Sequence, residues 1–302
     1  MDASLPAAPA PGSLRAWVLA ARPKTLPAAV APVLVGAGLA AHDGVFAAGP
    51  ALAALAGALL IQIGTNFAND YFDFRKGADT EARVGPTRAV QAGLLDAGAV
   101  RTGTIAAFAS AVACGVYLAA VAGWPIVAIG IASIAAGVLY TGGPLPIGYV
   151  GLGDVFVFVF FGLVAVAGTY YVQALSLAGE ALLAGAAMGA LITAILVVNN
   201  LRDIDTDAAS GKRTLAVLLG ERWTRVEYAC LLGAAYAVPP IGIARQGWPS
   251  ATLLALATAP LAIRPLGAVL AAREPARLNP ALGDTARLAV LYGFALALGF
   301  AA

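Results

Sequence analysis

Two stretches carry the densest groups of acidic side chains in this sequence: residues 64–83, GTNFANDYFDFRKGADTEAR, and residues 199–214, NNLRDIDTDAASGKRT. At 100° per residue, Asn66, Asn69, Asp70 and Asp73 fall within about 100° of helix circumference and form one polar stripe. Asn200, Asp203 and Asp207, spaced by three and four, form a second stripe, with Asp205 pointing elsewhere. Gly77 and Gly211 are expected to end the two helices, so that Asp79 and Glu81 fall on a loop. Basic residues follow each stripe: Arg75, Lys76, Arg83 and Arg88 in the first, Lys212 and Arg213 in the second.

Two carboxylate stripes facing one another would repel and take up protons. A divalent cation removes both problems. Mg²⁺ prefers oxygen ligands, keeps some waters, and typically uses one or two carboxylates together with substrate phosphate oxygens. Two stripes could hold two Mg²⁺ ions with a diphosphate between them. The crowded Lys and Arg suit a polyanion bound through metal on one side and through cations on the other. They disfavour a bare cation site, although membrane anchoring and surface ion pairing would also account for any one of them. The expected metal ligands are Asn66, Asn69, Asp70, Asp73, Asn200, Asp203 and Asp207, with the four Asp as the catalytic set. Lys76, Arg83, Arg88, Lys212 and Arg213 are expected on the phosphates, with Asp79 beside them.

The elements that must position these residues are apolar. Of the 302 residues, 61% are hydrophobic and 11% charged, against about 25% charged in soluble domains. Residues 51–69, 155–179, 181–201 and 246–263 lack any charged side chain, and 102–153 is a run long enough for two spans at about 20 residues each. Nine spans are expected, near 23–41, 50–69, 102–121, 124–140, 154–174, 181–201, 227–244, 248–267 and 285–302, with breakers at HDG, GWP, GGPLP and a second GWP. All of the 18 Lys and Arg except Arg245 then lie on one side, which by the positive-inside rule is the cytoplasm and holds the N-terminus. Four spans separate Asp70 from Asp203, so both stripes return to that same face.

The fold class is therefore all-α: a polytopic bundle in the lipid bilayer, read as one domain over 1–302 with a disordered tail over about 1–14. That N-terminus has neither the basic nor the apolar region of a signal peptide. No basic tract suits nucleic acid. Cys114 and Cys230 sit in apolar runs as packing thiols, and His42 is expected in a solvated turn. On the acidic face, Tyr140 ends the fourth span, either as an interfacial residue or as part of the site, and Asp154 opens the fifth as an N-cap candidate.

NDYFDFRKGAD and NNLRDIDTD resemble the two Asp-rich motifs of the UbiA superfamily of intramembrane prenyltransferases. ARPKTLPA, NDYFDFRKGADTEARVGPTRAVQAG, YTGGPLPIGYVGLGD and NNLRDIDTDAASGKRTLAVLLG together resemble its menaquinone branch. One departure stands out: the wider superfamily often reads NDxxDxxxD, and here the last position is Gly77, with Asp79 two residues on. The resemblance implies nine helices around a central cavity in a bacterial cytoplasmic membrane. It implies Mg²⁺-dependent transfer of a polyprenyl group from polyprenyl diphosphate to 1,4-dihydroxy-2-naphthoate, with loss of diphosphate and CO₂ to give demethylmenaquinol. Arg22 and Lys24, in RPKTLP, would meet the acceptor's carboxylate, and Tyr140 would lie beside the substrates. Two other readings stay open at this point: a sister enzyme for another aromatic acceptor such as 4-hydroxybenzoate, and a divalent-cation transporter. Transport sites favour the bilayer midplane, whereas these stripes sit at helix ends.

Overall fold

The computed structural model describes residues 9–77 and 87–302. Every regular element among them is helical. The chain runs through α1 (Leu14–Ala21), α2 (Pro27–His42), α3 (Ala48–Arg75), α4 (Ala97–Ala122) and α5 (Trp124–Leu139). It continues through α6 (Gly153–Val157), a π-helical stretch (Phe158–Val164) and α7 (Ala165–Ala174), which together make one continuous rod. Then come α8 (Gly179–Arg202), α9 (Ile204–Ala209), α10 (Leu215–Gln246), a 3₁₀ stretch (Ser250–Thr258) leading into α11 (Ala259–Ala271), and α12 (Leu278–Ala301).

Seven rods among the described residues are long and apolar enough to cross a membrane, and the shorter apolar α2 and α5 bring the set to the nine expected. At 16 residues each, α2 and α5 are about 24 Å long and fall short of the roughly 30 Å hydrocarbon layer. The turns that extend them, residues 22–26 and 140–152, are the ones that carry polar groups to the site.

Local chemistry sets the boundaries. Asp96 caps α4, its Oδ2 accepting from the Gly98 and Ala99 N–H groups at 2.8 and 3.2 Å. Thr214 caps α10 in the same way through Val217. Gly77, at φ +66°, follows the end of α3, in a conformation that costs other residues more. The helix α10 starts at Leu215, well before the expected 227, and breaks at Gly220, where φ is +76°. Residues 9–13 of the expected tail are tied down: the Gly12 N–H donates to the Leu94 carbonyl at 2.8 Å, and Ser13 caps α1. Residues 1–8 lie outside the described part.

The bundle centres on α8, which is buried along most of its length. The backbones approach closely there because glycines meet. A Cβ on Gly162 would lie 2.5 Å from the Gly185 carbonyl and from the Gly189 Cα, so the π stretch packs directly on the Gly185–Gly189 face of α8. Across the bundle, the Tyr292 hydroxyl donates to the Ala235 carbonyl at 2.7 Å, and the Tyr228 and Thr285 hydroxyls pair at 2.8 Å. Cys114 is half-buried, whereas Cys230 lies exposed on the outer face of α10 and not in the core expected for it.

Candidate active site

The first acidic arm is the last two turns of α3. An apolar cluster around Phe67, built from Ala16 and Ala20 of α1 and Val90, Leu94 and Leu95 of the following loop, folds that loop over the helix end. The Ala89 N–H is thereby aimed at Asp70 Oδ2, at 3.0 Å. Asp70 and Asp73 are each 1% exposed. Asp73 Oδ2 accepts from Arg88 at 2.7 Å and its Oδ1 from the Tyr149 hydroxyl at 2.6 Å. Asp70 Oδ1 is buried without a hydrogen-bond partner, and the Arg22 guanidinium acts on this carboxylate electrostatically.

The two asparagines of the arm are already engaged. Asn66 Nδ2 donates to the Ala21 carbonyl at 2.9 Å and to Thr25 Oγ1 at 3.0 Å, so its amide is turned toward the α1–α2 turn. Asn69 Oδ1 accepts from the Thr141 hydroxyl at 2.8 Å.

The second arm differs from its expected form. The helix α8 stops at Arg202; Asp203 is the capping residue and α9 restarts at Ile204, so Asn200, Asp203 and Asp207 do not form one continuous stripe. The reason lies in Arg202, which is 3% exposed. It grips both Asp203 oxygens, at 2.8 and 2.6 Å, and also donates to Asn199 and to Asn279 of α12. Asp203, expected as a metal ligand, therefore has both oxygens on an arginine. Asn200 is buried, Asp205 is exposed, and Asp207 lies 3.7 Å from the Lys212 ammonium.

The arms meet at the loop between α5 and α6. Tyr149 bonds Asp73 through its hydroxyl, and its carbonyl accepts from the Arg213 N–H at 2.9 Å. The Lys76 and Lys212 ammonium groups lie 5.2 and 4.8 Å from the Tyr149 ring centroid. Lys76 also donates to the Thr141 and Gly143 carbonyls, at 2.6 and 3.0 Å. Removal from water holds this lysine below its usual pKa range, Asp73 works against that, and the like charge of Lys212 adds to it. Tyr140 lies among the carboxylates of Asp154, Asp207 and Asp73. A Cβ on Gly153 would lie 3.0 Å from the Tyr140 hydroxyl and one on Gly148 2.9 Å from its ring, so both glycines leave room for it.

Below this polar rim lies a cavity of about 550 Å³. Gln62, Asn66, Asn69 and Tyr140 line its polar part, while Phe156, Phe160 and aliphatic residues from α2 through α7 make the rest apolar. Val112, Val116, Val127 and Ile131 line it and are also about half to two-thirds exposed, so along α4 and α5 the cavity is bounded by side chains that face outward.

Of the expected set, the structure thus gathers Arg22, Asn66, Asn69, Asp70, Asp73, Lys76, Arg88, Tyr140, Asp207 and Lys212. Lys24 is exposed on its turn, and the Arg213 side chain is exposed while its N–H holds Tyr149. Asp79 and Arg83 lie outside the described residues. Among the described residues no three acidic, His or Cys side chains converge as a metal cage. A Mg²⁺ ion completed by substrate phosphates and water does not require one, and the partnerless Asp70 oxygen fits a cation. Sequence reasoning missed Tyr149 and Arg202. The signal for the first was a second tyrosine in the charge-free loop that links the arms; for the second, an arginine directly beside Asp203 and three residues after Asn199.

Residues 29–300 match the UbiA prenyltransferase family. The chain is 43% identical to the 1,4-dihydroxy-2-naphthoate octaprenyltransferase of Mycobacterium tuberculosis, covering 94% of this chain and 96% of that one. It is 38% identical to the enzyme of the same name from Escherichia coli, covering 94% of each. Among solved structures, a UbiA homolog from Archaeoglobus fulgidus bound to GPP and Mg²⁺ superposes with a TM-score of 0.63 at 15% identity, over 94% of this chain and 99% of that one. With Asp-rich arms above an apolar cavity and a family match from α2 to α12, this chain belongs to the UbiA prenyltransferase family.

Proposed function

We propose that the protein transfers a polyprenyl group from polyprenyl diphosphate to 1,4-dihydroxy-2-naphthoate, releasing diphosphate and CO₂ and leaving demethylmenaquinol in the membrane. The observation that carries this reading is the junction of the two acidic arms, with their lysines, at the polar end of an apolar cavity. The naphthoate acceptor is supported by relatives named for it at 33–43% identity.

Asp70, Asp73 and Asp207 are the residues proposed to hold Mg²⁺, and the solved GPP- and Mg²⁺-bound homolog supports a divalent cation here. When bound, the metal supplies positive charge that eases departure of the diphosphate. Lys76, Arg88 and Lys212 meet the phosphate charge that the carboxylates repel. The apolar wall excludes water, which would otherwise capture the allylic cation. The rings of Phe156 and Phe160, stacked at 5.6 Å, offer π faces to it. The ring carbon bearing the carboxylate attacks, and the C–CO₂⁻ bond then breaks and returns its electron pair to the ring, so no net proton is released. Arg22 is proposed to orient the acceptor's carboxylate. The one-sided distribution of Lys and Arg supports a cytoplasmic N-terminus.

Membranes holding the protein, given a polyprenyl diphosphate and dihydroxynaphthoate, should release diphosphate and CO₂ in equal amounts, and only with Mg²⁺. Turnover with 4-hydroxybenzoate in place of the naphthoate, and none with the naphthoate, would assign the protein to a sister reaction.

A further inference from the structure

We infer that Tyr149 is a positioning residue for the diphosphate, its ring holding the Lys76 and Lys212 ammonium groups as a pair that grips the leaving group. The inference rests on the prenyl-transfer reading. Tyr149 belongs to neither acidic motif, yet it touches both arms. Its hydroxyl is on Asp73 at 2.6 Å, and its carbonyl receives the Arg213 N–H at 2.9 Å.

Two lysines from elements 136 residues apart in sequence are brought to one ring, at 5.2 and 4.8 Å from its centroid. Like charges do not gather without compensation. Each ammonium here has a separate anchor: the Thr141 and Gly143 carbonyls of the α5–α6 loop for Lys76, and Asp207 at 3.7 Å for Lys212. The negative face of the tyrosine ring is the element they share. Two positive charges at one ring, beside two carboxylate arms, match a ligand carrying several negative oxygens. A monoanion would use one of them.

The π face and the hydroxyl have separable duties. Tyr149→Phe keeps the face and removes the donor to Asp73, so it should lower kcat a few-fold and leave KM for the prenyl diphosphate near the wild-type value. Tyr149→Leu removes the face, and should raise KM for the prenyl diphosphate on the order of ten-fold while KM for the aromatic acceptor stays within two-fold. Lys76→Met and Lys212→Met should each raise the same KM. In the Lys212→Met background, Tyr149→Leu should cost less than it does alone, because half of what the ring holds is already gone.

These constants come from steady-state assays on membranes, with each substrate varied at saturating levels of the other. The inference is overturned by an unchanged prenyl diphosphate KM in Tyr149→Leu, or by equal rises in both KM values with no relief in the Lys212→Met background. A Phe variant as impaired in KM as the Leu variant also overturns it. If the Leu variant does not accumulate, unchanged KM in both lysine variants is decisive against it. Failure of wild type to consume prenyl diphosphate with any aromatic acceptor would instead remove the prenyl-transfer reading, so the two failures are distinguishable.

Discussion

Asp70 and Asp203 are both buried carboxylates, and the structure gives them opposite surroundings. Asp70 keeps one oxygen with no protein partner, whereas Asp203 spends both on Arg202. Asp70→Asn should therefore reduce kcat by about 100-fold or more, as loss of a charge-stabilising group at a reacting centre typically does, and leave thermal stability in detergent close to wild type. The Arg202–Asp203 pair should behave the other way round. Arg202→Met strands a buried carboxylate and should cost about 3–5 kcal/mol of unfolding free energy, and Arg202→Met with Asp203→Leu should recover much of it. Denaturant titration of the three proteins measures this. If the double variant is stable yet dead in the assay, Asp203 has a chemical role beyond its ion pair. The sequence made the type and face of Asp70 and Asp73 readable, because a helical stripe depends on spacing alone. It did not reveal the second arm, where α8 ends at Arg202 and not near Gly211, because a break changes the phase of every residue after it.

At the level of elements, the helices were legible where hydrophobicity ran uninterrupted, and the nine expected spans have their counterparts. Two features were not. The π stretch at Phe158–Val164 leaves no mark in a window of uniformly apolar residues, and the break inside α10 depends on one glycine, Gly220, in a run that otherwise reads as continuous helix. The π stretch has a measurable consequence. Its Gly162 sits against Gly185 and Gly189 with no room for a side chain, so Gly162→Val should destabilise by about 1–3 kcal/mol or more through overpacking. Because Phe160 and Phe161 on the same stretch line the cavity, the displaced backbone should also lower turnover. Gly168→Ala, on the same rod but with nothing within 4 Å of the added Cβ, is the control for thermal unfolding.

For the molecule as a whole, the cavity sets which prenyl chains fit. Ala58 lines it twelve residues before Asp70 on α3, about 18 Å along the helix axis. Ala58→Phe should shift products made from a mixture of prenyl diphosphates toward shorter chains, with diphosphate release from short donors preserved; mass spectrometry of the extracted products reads the distribution. An unchanged distribution would mean that the tail leaves the cavity before reaching Ala58. The existence of an apolar cavity was implied by the family resemblance, but its walls were not legible. They come from seven different elements, and hydrophobic residues facing lipid and facing a lumen look alike in a sequence.

The outward-facing valines and isoleucine that border this cavity on α4 and α5 carry a kinetic implication. A donor with a long greasy tail would reach such a site by sideways diffusion within the two-dimensional fluid, and the quinol would depart by the same route without passing through bulk solvent. The concentration that governs saturation is then the mole fraction of donor among lipids. Diluting the bilayer with inert phospholipid at constant assay volume should slow the reaction, whereas enlarging the volume at constant bilayer composition should leave the rate per enzyme unchanged.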